Sequence, residues 1–123
     1  MKKIILLLIL SFSVNSNELG GMVKVATLDD GTHIYIDVNT IDNDGSYLNV
    51  WGQIIYPEPN DEGSISTRYK SEIDCSNKSD RVIYIEGFTK NADRVFASFV
   101  EEPTHTESEP GTNGRKVIDF VCN

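Results

Sequence analysis

Apolar and polar positions alternate at period two from Met22 to Val100, interrupted at short intervals by turn-forming residues. This is the pattern of antiparallel strands that each present one face to a core. It predicts a first strand over Met22 to Leu28. Asp29-Asp30-Gly31 then supplies residues tolerant of positive φ, and Thr32 to Val38 returns as the second arm of a hairpin. After Asn39 to Ile41, the group Asp42-Asn43-Asp44-Gly45 turns the chain into a long strand over Ser46 to Tyr56. Pro57 to Gly63 cannot continue a ladder, because proline has no N–H to donate, and reads as a loop at the sheet's end.

The next strand, Ile65 to Cys75, places Ile65, Thr67, Tyr69, Ser71, Ile73 and Cys75 on one face and Arg68, Lys70, Glu72 and Asp74 on the other. The charged set belongs in water, so Cys75 points inward. A turn over Ser76 to Asp80, a fifth strand over Arg81 to Thr89, a turn over Lys90 to Asp93 and a sixth strand over Arg94 to Val100 follow. Glu101 to Asn113, acidic and punctuated by Pro103, Pro110 and Gly111, reads as a floppy surface loop that carries His105. In Gly114 to Cys122, Val117 and Val121 lie one helical turn apart, as do Ile118 and Cys122. That spacing fits an amphipathic helix better than a seventh strand, with Ile118 and Cys122 facing the sheet. The expected fold is therefore α+β: an antiparallel meander of about six strands with a C-terminal helix packed on one face.

The N-terminus changes where this domain is expected to work. Lys2 and Lys3 precede an apolar run from Ile4 to Leu10, continued to Phe12, and Val14-Asn15-Ser16 offers small residues for cleavage. Residues 1–16 thus read as a signal peptide and 17–123 as the domain. The apolar run is shorter than the ~18–20 residues that span a bilayer, so no stable membrane span is expected after cleavage. Removing 16 of 123 residues leaves 107, enough for one core, and loss of the two lysines moves the net charge from −8 to −10. Such a surface repels phosphate backbones, which takes nucleic acid off the list of partners.

Both cysteines lie in the exported part, and two thiols in an oxidising compartment allow only the Cys75–Cys122 disulfide. The bridge tethers the helix. The spacing of a redox or zinc pair is absent.

Several features in order resemble the surface-adhesin protein E family. They are the leader, the Asp30-Gly31-Thr32 turn into Tyr35-Ile36-Asp37, the strand with Val50-Trp51, the strand ending Tyr69-Lys70-Ser71-Glu72-Ile73-Asp74-Cys75, and the helix ending at Cys122. The resemblance implies a six-stranded antiparallel sheet with a C-terminal helix disulfide-tethered to its concave face. It also implies an exported protein of the bacterial envelope, in the periplasm or at the cell surface, that binds host matrix or serum proteins. Haem binding is also attributed to the family's namesake, so the resemblance raises haem as a ligand, while many relatives have no known activity. The chain departs from the family's namesake in its strong acidity and in having no Cys for lipid attachment near the cleavage point.

Candidate chemistry is sparse. There is no GxSxG or HExxH, both thiols are spoken for, and His33 and His105 are far apart, so no enzyme activity and no catalytic residue are expected. His33 and Tyr35 share a strand face and are weak candidates for haem ligation, a pair that equally well lines a half-buried face. No cofactor is expected. Asp42 to Gly45 opens like a calcium loop but lacks the further oxygen ligands and closing Glu, and turn chemistry explains the same residues, so no metal is expected. Tyr47, Trp51 and Ile55 form the face of the long strand opposite Leu48, Val50, Ile54 and Tyr56. With one face under the helix, the other is the candidate surface for a protein partner or a homodimer. The expected function is a non-enzymatic, adhesin-like binding protein. The alternatives are a carrier of haem or a small apolar ligand held between sheet and helix, or a structural envelope protein.

Overall fold

The computed structural model of the chain describes residues 21–101 and 103–123, and the signal peptide expected over residues 1–16 lies outside them. Strands β1 (Met22–Thr27), β2 (His33–Asn43), β3 (Leu48–Ile55), β4 (Ser66–Asp74), β5 (Ser79–Phe88) and β6 (Arg94–Phe99) lie side by side in chain order, each antiparallel to the next. A two-residue strand, β7 (Thr106–Glu107), pairs with the start of β5. The helix α1 (Asn113–Cys122) closes the chain and packs on β1 and β2.

The turns form where side chains hold them. Asp30 Oδ1 accepts from the Thr32 N–H at 2.9 Å, beside Gly31 at φ +97°. Asp44 accepts from the N–H groups of Ser46 and Tyr47 at 3.0 and 2.9 Å and from the Asn49 amide at 3.1 Å, so the calcium-like residues serve as a local turn. These bonds, the backbone N–H of Tyr47 foremost, hold the Asp44 carboxyl below its ordinary range.

The second strand runs further than the sequence pattern suggests, through Asn39 to Ile41 and on to Asn43. Its pairing with β3 is interrupted between Asp37 and Asp42. There the Thr40 hydroxyl accepts from the Trp51 N–H at 2.9 Å and donates to the Asp37 carbonyl at 2.7 Å, so a side chain stands in for the missing rung.

The core sits between the sheet's middle and α1. Ile36, Val50 and Ile73, one each from β2, β3 and β4, are fully buried with Ile118 of the helix, and Val117 and Val121 flank them. Each such side chain contributes about 1.5–3 kcal/mol by leaving water. The Thr112 hydroxyl accepts from the Arg115 N–H at 3.2 Å and so caps the helix N-terminus. Cys75, just past β4, is bonded to Cys122 in the last turn of α1. The helix is thereby fixed at both ends.

The loop after β6 is not floppy around His105. The imidazole stacks on Tyr47 with ring centroids 4.8 Å apart, and its nitrogens are hydrogen-bonded to Glu72 at 3.1 Å and Ser79 at 3.3 Å. Two short rungs between β7 and β5 hold the backbone beside it. Period-two reading misses so short a strand.

Candidate functional site

One irregularity organises the face of the sheet away from the helix. Lys70 of β4 pairs with Tyr84 of β5, but the next residue, Ser71, pairs with Val82, which leaves Ile83 as an extra residue. Strict alternation would put Ile83 and Tyr84 on opposite faces. The bulge turns both onto the open face, while Val82 and Ile85 both face the helix side.

With that register, Trp51, Lys70, Tyr84 and Phe99 fall on one row across β3, β4, β5 and β6. The aromatic members touch: Trp51 meets Tyr84 edge-on at 5.8 Å, and Tyr84 meets Phe99 at 4.9 Å. Phe99 keeps 78% of its surface in water, the most exposed large apolar residue among those described. The neighbouring row pairs Arg68 with Glu86. Glu86 is 8% exposed and accepts from Arg68 and Arg94, each at 3.3 Å, and from the Tyr84 hydroxyl at 3.2 Å. Arg68 also covers the Trp51 ring. Trp51, Arg68, Lys70, Tyr84, Glu86 and Phe99, with Ile83, line an open cleft of about 480 Å³.

The candidates named from sequence separate in space. Trp51 lies in this cleft. Ile55 lines a neighbouring groove with Phe88, beyond Arg68, and Tyr47 lies at the far end of β3 under His105. His33 and Tyr35 lie on β2, their rings edge-on at 6.4 Å, with His33 Nδ1 hydrogen-bonded to the Thr27 hydroxyl at 3.1 Å. Among the described residues, no cluster of three or more His, Cys, Asp or Glu side chains is placed to hold a metal ion. Sequence reading missed Tyr84, Phe99 and the two cations. The signal was there in the unbroken apolar run from Val82 to Ile85, too apolar on both faces for a strand with one face in water.

A second space, about 240 Å³, opens between the sheet and the first turn of α1. Ile34, Ile54, Val82 and Val117 give it an apolar lining, and Tyr69 and Asp80 are its ionisable members. Burial pushes the Asp80 carboxyl above its ordinary value, against the Ser71 hydroxyl and the nearby His105, which both lower it. Burial, and then Asp80, raise the Tyr69 hydroxyl to about 12. The volume is below the ~300–1,000 Å³ of sites that enclose drug-sized ligands. No helix among the described residues is long and apolar enough to cross a membrane.

The fold of sheet and helix is similar to that of known structures. Crystal form II of Haemophilus influenzae protein E superposes with a TM-score of 0.61 at 15% identity, over 83% of this chain and 87% of that one. Protein E from non-typeable Haemophilus influenzae superposes with a TM-score of 0.57 at 15% identity, over 83% of this chain and 75% of that one. At that identity the likeness is one of fold. Comparison with curated proteins finds no significant match. The sequence model of Surface-adhesin protein E, however, matches residues 22–123, nearly all of the chain beyond the expected signal peptide. The chain belongs to the surface-adhesin protein E family.

Proposed function

We propose that the chain is exported by cleavage of its first 16 residues and acts as a non-enzymatic binding protein of the bacterial cell envelope, holding a protein partner on the open face of its sheet. The observation that carries this reading is the row of Trp51, Tyr84 and Phe99 on a face that no element among the described residues covers, ending in a phenylalanine left in water. Aromatic and Arg side chains are the residue types that dominate binding energy at interfaces. Family membership supports an adhesin-like role toward envelope or host matrix proteins. An overall charge of −8 opposes nucleic acid.

The test is capture by the purified mature chain, alongside its Phe99→Asp variant, from envelope extract and from a panel of host matrix proteins. A partner kept by the first and lost by the second supports the reading. Equal capture by both contradicts it, and association of the chain with itself through this face would make the partner a second copy.

The space beneath α1 favours one second reading, carriage of a small apolar ligand with a hydrogen-bonding head toward Asp80 and Tyr69. Saturable binding of such a ligand that Val117→Trp blocks and Phe99→Asp leaves intact would favour it over the first.

A further inference from the structure

We infer that the partner enters the open-face cleft with an acidic side chain next to an aromatic or other apolar one, and that Lys70 receives the carboxylate. The inference rests on the open face being the contact surface, and it names the chemistry of what is contacted.

The cleft holds two cations and one carboxylate: Arg68, Lys70 and Glu86. Glu86 is committed, since it bonds Arg68, Arg94 and the Tyr84 hydroxyl at once. Arg68 is committed in turn, to Glu86 and to the face of Trp51. Lys70 stands between Trp51 and Tyr84 in the cross-strand row, and its ammonium takes part in no hydrogen bond or ion pair among the described residues. The nearest acid along its own strand face, Glu72, is taken by Arg81 at 2.7 Å and by His105. An ammonium flanked by aromatic rings, with each neighbouring carboxylate already bonded, lacks an anion.

The wider charge says which anion. A polyanion meets the repulsion of a chain with net charge −8, whereas a single carboxylate in the cleft lies within the ~8 Å screening length of Lys70 and Arg68. A chain terminus is captured by groups of free backbone N–H donors. In the middle of this sheet those donors are used by the ladders of β3, β4 and β5. The side-chain source therefore fits better than the terminal one. The exposed Phe99 and the edges of Trp51 and Tyr84 supply contact for the apolar neighbour.

The test uses three probes on the mature full-length chain, read by the fluorescence of Trp51, the chain's single tryptophan, and by backbone amide shifts. They are acetyl-Glu-Phe-amide, acetyl-Gln-Phe-amide and acetyl-Gln-Phe as its free acid. The expected result is that the Glu peptide binds about tenfold more tightly than the Gln amide, as one charge-assisted hydrogen bond allows. Lys70→Met should erase that difference, Lys70→Arg should keep most of it, and added salt should narrow it. Equal binding of the Glu and Gln amides overturns the inference while leaving the face as a contact surface. Tighter binding of the free acid overturns the side-chain source. Binding of none of the three overturns the inference outright, and the Phe99→Asp capture experiment then decides separately whether the face binds protein at all.

Discussion

The guanidinium of Arg68 lies over the ring of Trp51, its central carbon 3.8 Å from the ring centroid, while one of its nitrogens donates to Glu86 at 3.3 Å. One side chain thus joins the aromatic row to the buried carboxylate beside it. Arg68→Ala should leave the indole uncovered, so that emission from the single tryptophan shifts to the red and acrylamide quenches it more strongly. The stability loss by urea denaturation should be small, about 0.5–1 kcal/mol, because Arg68 is 41% exposed at its side chain and Arg94 still serves Glu86. An unchanged emission spectrum would contradict the stacking.

The disulfide spans 47 positions, from the end of β4 to the end of α1. Closing a loop of that length stabilises by roughly 4 kcal/mol in the chain-entropy account. Cys122→Ser should lower stability by about 2–5 kcal/mol, and hydrogen exchange should show α1 losing protection before the sheet does. Two reactive thiols in the folded wild-type protein would refute the bridge.

Gly52 of β3 pairs directly with Tyr69 of β4, and a Cβ at Gly52 would fall 2.5 Å from the tyrosine ring. The ring lies across the glycine because nothing projects there. Gly52→Ala should cost about 1–3 kcal/mol, measured by thermal or urea unfolding, through displacement of Tyr69. In an alkaline absorbance titration the wild type should show one tyrosine ionising near pH 12, a step that Tyr69→Phe removes.

Asp80 gives a pH dependence of defined sign. Its carboxyl is raised above the ordinary value, chiefly by burial, so the folded protein holds that proton more tightly than the unfolded chain. Ionised Asp80 therefore destabilises the fold. The cost is fully present above the folded value and disappears below the ordinary value of 3.8. Asp80→Asn should raise the thermal midpoint at pH 7, and the gain should shrink as pH falls toward 3.8. A gain independent of pH would contradict the assignment.

Much of the fold was legible because β4 alternates cleanly. Of the residues assigned inward, Thr67, Tyr69, Ser71 and Ile73 are buried, while Ile65 and Cys75 at the two ends are only half-buried, Ile65 beside Ile55 and Phe88. The helix spacing of Val117, Ile118 and Val121 gives the buried face of α1. The parts that escaped depend on contacts distant in sequence. The charged face of β4 is not simply solvated, because Glu72 is covered by Arg81 and His105. No local pattern announces that, nor the two-residue β7 that holds the loop in place. Likewise, the face presented by Tyr84 depends on the extra residue at Ile83, and a bulge leaves no mark in period-two alternation until the partner strand is known. That single slip is why Trp51 was found from sequence and its aromatic neighbours were not.

The central claim is that the uncovered aromatic row is where a protein partner binds. It is tested most directly by comparing two phenylalanines of opposite location, the exposed Phe99 on β6 and the partly exposed Phe120 on α1. For a captured partner, Phe99→Asp should weaken binding by roughly 1–3 kcal/mol with the thermal midpoint nearly unchanged, while Phe120→Asp should leave affinity as it was. Equal affinity of the Phe99→Asp variant and the wild type, or a loss of binding matched by Phe120→Asp, would contradict it.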